Sequence, residues 1–504
     1  MEHHHNGFGS TLRLIAWAQR RGHVLPRRVR RVAGRAVRRL NRVGAGMVGP
    51  SEDWSQPLVA GRNAADLEAL RPEPRTAVTQ GTPTPPSPAA STAVRDPLIR
   101  CAVATGVFDV GGGEEVASLM ARHLPRYGFE TAVIYSGTKL TGQIGPGGRL
   151  LTALTEAGIP TVELTPDIVG DWFRSYRPQV VHGNYAPNWM LDAATNAGAA
   201  WVETLHGMHS FLSEAAWPPE RVRAKAIAAQ VAISDLVRRQ YLAGNPAFPA
   251  DRIVTIPNGI EASRYAPVDR QKARTALGLK DEFLFVSTAR YCLQKNTFGL
   301  VAAFVEAARY RPQAHLLVAG RPDDPLYFEH VRALVEREGL HGRIHLRGHC
   351  ANVPALLAAA DAFVLDSFFE GAIPLASMEA MAAGLPVIMS DVGGAREQLG
   401  WTGDRGYLVA NPGGEPELVD WARMGDLRLR PQPNKEELVS AIVSAVDRRE
   451  YWAASRARLR DDAAGLFLPE LSVRRHADVL RSVVRGGPLP DVLTASDPAG
   501  GRRD

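Results

Sequence analysis

Cysteine is scarce in this 504-residue chain: Cys101, Cys292 and Cys350 lie far apart. That excludes a disulfide framework, leaves no zinc-type spacing and fits a reducing cytoplasm. Nor is there an apolar run of the roughly 18 residues that a membrane-spanning helix needs. Residues 12–18 are apolar, but Arg13 interrupts them and Arg20 and Arg21 follow, which is not the pattern of a secretory signal. Several catalytic signatures are missing too. There is no G-x-G-x-x-G fingerprint, phosphate-loop lysine motif, zinc-binding histidine pair or nucleophile elbow. Any chemistry must therefore rest on positioning and electrostatics. Acid is absent from one stretch altogether. Eleven arginines fall between Arg13 and Arg42 without an Asp or Glu, so against a total of +6 the rest of the chain is net −5.

What remains is an ordinary globular composition, 45% apolar, with enough chain for two to four domains. Residues 1–71 read as a basic extension. Within 10–43, Val29, Val32, Ala33, Ala36, Val37 and Leu40 recur at near-helical spacing. Such a segment suits an anionic membrane surface as a peripheral helix, and a solvated tail is the competing reading. Residues 72–98 are rich in Pro, Ser and Thr and read as a linker. From 99 the pattern alternates: apolar β-like runs at 99–105, 131–135, 161–164, 180–181, 200–205, 231–233 and 253–256 are separated mostly by helical stretches. Pro257-Asn258-Gly259 breaks the series. It then restarts, with strands at 283–289, 315–319, 344–346 and 362–365 and helices at 297–308, 326–338, 435–446 and 471–484. This predicts an α/β protein of two Rossmann-like, doubly wound domains, 99–262 and 263–487, facing across a cleft, with a tail at 488–504.

The densest signal is 370–397, EGAIPLASMEAMAAGLPVIMSDVGGARE. Glu370 precedes a helix and Glu379 lies inside it; Gly384 sits where a helix-ending glycine belongs. Two carboxylates beside helix N-terminal amides suit hydroxyl groups and phosphate oxygens. At the end of strand 283–289 stand Arg290 and Lys295, a bidentate donor and a point charge fitted to a diphosphate, although two surface cations alone would mean little. His206 ends strand 200–205 and can meet a sugar hydroxyl; His182 is a weaker candidate of the same kind. The turn Gly111-Gly112-Gly113 allows close backbone approach as a helix opens.

Taken in order, these pieces resemble the retaining nucleotide-sugar glycosyltransferases of the GT-B fold, glycosyltransferase family four (group 1). The likeness covers most of 99–487. It rests on Gly111 to Glu114, Leu205-His206-Gly207, Ile256 to Ile260, Arg290 with Lys295, Val318-Ala319-Gly320 and 370–397. The resemblance implies transfer of a sugar from a nucleotide diphosphate donor to a glycan, lipid-linked or small-molecule acceptor, a hexosyltransferase-type reaction of polysaccharide biosynthesis with retained configuration. It assigns catalysis to His206, Glu370, Arg290 and Lys295. Donor binding falls to Gly112, Arg290, Lys295, Glu370, Gly371, Ala372, Ile373, Pro374 and Glu379. It implies no metal or other cofactor; no nucleic acid partner is expected, and cysteine usage with the basic stretch at 10–43 gives the expectation of a cytoplasmic protein that can lie peripherally on the inner face of the membrane. An epimerase or hydrolase on the same fold, or a non-catalytic binding protein, are the alternatives. One departure stands out: the family has seven residues between the glutamates, and here Gly371 to Met378 makes eight. Either the loop bulges with Glu370 still reaching in, or the first carboxylate is displaced.

Overall fold

The computed structural model describes residues 54–70, 97–106, 112–137, 148–207, 216–260, 268–400 and 402–490. The arginine-rich stretch at 10–43, most of the linker, the loop at 109–111 and the chain beyond 490 lie outside the described residues.

The first lobe runs β1 (Ile99–Thr105), α1 (Gly112–His123), β2 (Phe129–Tyr135), α2 (Gly148–Glu156), β3 (Thr161–Glu163), α3 (Val169–Tyr176) and β4 (Val180–Asn184). It continues with α4 (Asn188–Asn196), β5 (Ala200–Leu205), α5 (Trp217–Arg223), β6 (Ala229–Ala232), α6 (Asp235–Gly244) and β7 (Ile253–Thr255). All pairings are parallel, in the order β3-β2-β1-β4-β5-β6-β7. Helices on both faces bury the central strands on both sides, which is why they read as unbroken apolar runs. Val103, Val180 and Val202 join one core, and Ala102, Val181 and Trp201 the other.

The second lobe repeats the plan: α7 (Arg270–Ala276), β8 (Phe283–Thr288), α8 (Thr297–Tyr310), β9 (Ala314–Ala319), α9 (Pro325–Arg337), β10 (Ile344–Arg347) and α10 (Val353–Ala359). Then follow β11 (Ala362–Leu365), α11 (Leu375–Ala382), β12 (Val387–Ser390), α12 (Ala395–Leu399) and β13 (Gly406–Val409). The order is β10-β9-β8-β11-β12-β13, again parallel. Gly384 closes α11 at φ +83°, a left-handed conformation that disfavours a side chain. At the end of α10 the carbonyls of Ala358, Ala359 and Ala360 accept from Arg270, Arg274 and Arg456 at 2.9, 3.0 and 3.0 Å. Cations belong at that end of a helix dipole.

The chain closes with α13 (Trp421–Leu427), α14 (Lys435–Asp447), α15 (Arg449–Leu466) and α16 (Pro469–Arg485). Helix α15 was not anticipated from the sequence. It is mostly polar and buries Trp452, Ser455, Leu459 and Ala463, whose spacing is the helical signal that its arginines obscure. Beyond it the chain returns to the first lobe. Ile260 N donates to Phe467 O at 3.0 Å, and a Cβ on Gly259 would meet Pro469 Cα at 2.6 Å. Val473, Ala477 and Leu480 of α16 then complete the core around Val103.

The extension does not stand wholly apart, contrary to the sequence reading. Residues 54–70 pack on the second lobe, with Trp54, Leu58 and Leu67 buried among α7 and α10 residues. Each such burial contributes on the order of 1.5–3 kcal/mol. Proline-rich sequence on one side and arginines on the other hide this docked segment from a composition argument.

Candidate functional site

In each sheet the strand order reverses once, between β1 and β4 and between β8 and β11. A crevice opens at the carboxyl ends of such strands. Several of the residues singled out from the sequence lie there. Arg290 leaves β8, and its guanidinium donates to Asp323 Oδ2 at 2.6 Å and Gln294 Oε1 at 3.3 Å. Lys295 ends the turn that follows, and its Nζ pairs with Glu370 Oε1, both side chains largely buried. Ser367 Oγ donates to the same Glu370 oxygen at 2.7 Å. The eight-residue spacing therefore leaves Glu370 turned inward toward the cation. Phe368 N to Gln294 O at 2.9 Å and Gln294 Nε2 to Phe369 O at 3.2 Å tie the two loops together. Glu379 lies one turn into α11, half-buried, and Gly371, Ala372, Ile373 and Pro374 lead into that helix.

Behind Lys295 lies a buried polar network that the sequence reading missed. Asn296 adopts φ +48°, and its Nδ2 donates to Asp366 Oδ2 at 2.8 Å and Gln432 Oε1 at 2.7 Å. Asn434 Nδ2 donates to Asp366 Oδ1 at 2.7 Å. Burial pushes the Asp366 carboxyl up to about 8, with the Asn434 and Asn296 hydrogen bonds partly opposing it. This network fixes the backbone on which Lys295 sits.

The first lobe faces these groups with His206, Tyr185 and the start of α1. His206 Nε2 lies 2.8 Å from Asn184 Oδ1. Asn184 Nδ2 donates to His182 O, so Oδ1 is the acceptor, Nε2 carries the proton and Nδ1 is left as an acceptor. Burial first, and His476 second, hold His206 down at about 3, so the ring is neutral at neutral pH. Tyr185 was not singled out from the sequence. Its ring lies 5.0 Å from that of His206, its backbone is at φ +55°, and it is 59% exposed. A Cβ on Gly113 would meet this ring at 2.9 Å, so the glycine beside Gly112 makes room for it. His182 is different: buried, with Nε2 2.8 Å from Thr204 Oγ1 and its ring against His476 at 5.2 Å, it belongs to the packing beneath α16.

The two lobes touch at the site. A Cβ on Gly371 would lie 2.1 Å from His206 O. Ser234 Oγ donates to Gly371 O at 3.1 Å, and Asp235 N, in the first turn of α6, donates to Glu397 Oε1 at 3.2 Å. Arg239 pairs with Glu417 at 2.6 Å across the same gap. Among the described residues no group of three or more His, Cys, Asp or Glu side chains is placed to hold a metal ion. No helix among them is long and apolar enough to cross a membrane.

Two doubly wound lobes closing on one crevice define a class, the GT-B architecture. The structure of Anabaena Alr3699/HepE in complex with UDP and glucose superposes with a TM-score of 0.62 over 76% of this chain and 100% of that one, at 19% identity. WaaG, a glycosyltransferase involved in lipopolysaccharide biosynthesis, gives 0.53 over 76% and 99%, at 18% identity. Residues 110–264 match the family described as Glycosyltransferase Family 4, and 280–423 match Glycosyl transferases group 1. The alpha-maltose-1-phosphate synthase of Mycolicibacterium smegmatis is 30% identical over 272 residues, 52% of this chain and 65% of that protein. The lipopolysaccharide core biosynthesis mannosyltransferase LpsB of Rhizobium meliloti is 36% identical over 235 residues, 46% of this chain and 61% of that protein. The chain thus spans somewhat less than two thirds of these curated relatives, and it belongs to the GT-B glycosyltransferases of family four, group 1.

Proposed function

We propose that the protein transfers a sugar from a nucleotide diphosphate donor to a glycan or lipid-linked acceptor with retention of configuration. The observation that carries this is the convergence of Arg290, Lys295 and Glu370 at the reversal point of the second sheet. Arg290 and Lys295 hold the diphosphate and stabilise the charge that grows on it as the bond to the sugar breaks. Donor entry exchanges the Lys295–Glu370 contact for Lys295 on phosphate and Glu370 on sugar hydroxyls. Glu379 takes the ribose hydroxyls, and Gly371 to Pro374 bring backbone close to the sugar. His206, neutral with Nδ1 as acceptor, accepts a hydrogen bond from a hydroxyl of the donor sugar from the opposite lobe, with Gly112 beside the phosphate.

In the reaction the bond from the sugar's anomeric carbon to the diphosphate oxygen breaks. The acceptor oxygen bonds to that carbon on the same face, and its proton passes to the departing diphosphate oxygen. This needs neither a protein nucleophile nor a metal, because the cations and helix amides offset the phosphate charge. The arginine-rich stretch at 10–43 places the enzyme on the anionic inner face of the cytoplasmic membrane, near a lipid-linked acceptor.

Lys295→Ala should lower transfer by about 100-fold or more, the scale of one lost charge stabiliser, while the protein stays folded by circular dichroism at the assay temperature. Turnover at the wild-type rate would remove the diphosphate role. A thermal-shift panel of nucleotide sugars identifies the donor, since ligand that binds the native state raises the melting temperature.

A further inference from the structure

The docked segment 54–70 lies against one particular loop, 349–352, between β10 and α10. Trp54 Nε1 donates to His349 O at 3.1 Å, and Arg347 Nη2 donates to Gln56 O at 3.3 Å. At the other end of the loop, Asn352 Nδ2 donates to Leu67 O at 3.2 Å and Leu70 O at 2.7 Å. The same Asn352 caps α10, its Oδ1 accepting from Ala355 N at 3.2 Å. The segment therefore frames the loop from both sides. Elsewhere it is held by Leu58 N to Leu277 O at 2.8 Å and by the Arg62–Glu282 pair at 2.7 Å.

That loop belongs to the carboxyl edge of the donor-lobe sheet. On the donor reading the diphosphate sits at the end of β8 and the sugar toward Glu370 after β11. The start of α10 lies at the same carboxyl edge, and α10 shares one core with α11, the helix that carries Glu379. The framed loop also connects physically to Arg290. Arg347 O accepts from Gly320 N at 3.2 Å and lies 2.9 Å from the buried Tyr291 hydroxyl, which is also 2.8 Å from Val318 O. Tyr291 directly follows Arg290 in the chain.

We propose that residues 54–70 are a built-in brace of the donor site, in which Trp54 is a positioning residue that fixes the 349–352 loop beneath the nucleoside base. The proposal rests on the donor reading above. It extends that reading to a segment outside both sheets, which no contact with the reacting atoms would reveal.

The test uses the full chain and three variants: Trp54→Phe, Trp54→Ala and a deletion of residues 1–53 that keeps the brace. Titration calorimetry with UDP, GDP and ADP first establishes nucleotide binding by the wild type. If none binds, the donor reading fails, and the brace role with it. Where one binds, Trp54→Phe, which keeps an apolar ring and loses the indole N–H, should raise donor KM and nucleotide Kd about 3- to 10-fold. Its kcat, acceptor KM and melting temperature should stay at wild-type values; a merely structural role would move the melting temperature and leave donor KM alone. Trp54→Ala should raise donor KM further, and the 1–53 deletion should match wild type in nucleotide Kd and, with a soluble acceptor, in donor KM. Donor KM and nucleotide Kd at wild-type values in a stably folded Trp54→Phe would overturn the brace role while leaving the donor reading intact.

Discussion

Tyr185 shows what a single residue holds in reserve. A non-glycine backbone at φ +55° costs about 1–3 kcal/mol and persists where the surroundings over-determine it, commonly at ligand sites. Tyr185→Gly should relieve that strain and raise the melting temperature, while losing an exposed ring beside His206 that the acceptor can lie against. The expected result is a more stable protein with about 10-fold lower kcat/KM for acceptor; unchanged acceptor kinetics would assign the strain to folding alone. His206, Arg290, Lys295, Glu370 and Glu379 each sit at a strand end or helix start that periodicity locates, and it was their order and spacing together, not any one of them, that made them legible as candidates. Tyr185 was not, since backbone dihedrals leave no compositional trace. Nor was Asp366, a polar residue in an apolar run whose Asn296 and Asn434 partners stand 70 and 68 residues away in the chain.

At the scale of elements, the loop before α11 is set by close approach. Gly371 meets His206 O across the lobes, and the obstructing atom is backbone, which cannot rotate away. Gly371→Ala should therefore keep both lobes folded but hold them apart. Transfer should fall at least 10-fold, small-angle scattering should report a larger radius of gyration, and nucleotide binding to the donor lobe should survive. A scattering profile identical to wild type would show that the contact yields elsewhere. The glycine itself was visible in the sequence. Its reason was not, because the opposing carbonyl lies on an element of the other lobe.

Across the whole molecule, buried titratable groups set the pH response. His182 is pushed well below its ordinary value by burial, His206 to about 3 and His476 to about 4. Below about 6.5 the unfolded chain binds protons that these native rings refuse, so each removes up to about 1.4 kcal/mol of stability per pH unit on acidification. Asp366 works in the opposite sense. Its native carboxyl, raised to about 8, keeps a proton that the unfolded chain gives up near 3.8, so its contribution is lost as pH rises between those values. Together they place the maximum in thermal stability near pH 6.5. His476→Gln should flatten the acid limb in a melting series from pH 4 to 9. Parallel acid limbs in the two proteins would remove the histidine cluster as the cause.

The sequence by itself determined the class of this protein. Alternating apolar runs dictated two doubly wound parallel sheets, because strands buried on both faces leave continuous apolar runs, and the order of the motifs along the chain marked the family. The tertiary structure alone decided which groups share the crevice, Lys295 with Glu370, His206 against Gly371 and Tyr185 over Gly113, and docked a segment before the linker on the second lobe. Those pairings join residues from about 70 to nearly 300 positions apart. They are fixed by the packing of one element on another, which a pattern read along the chain does not contain.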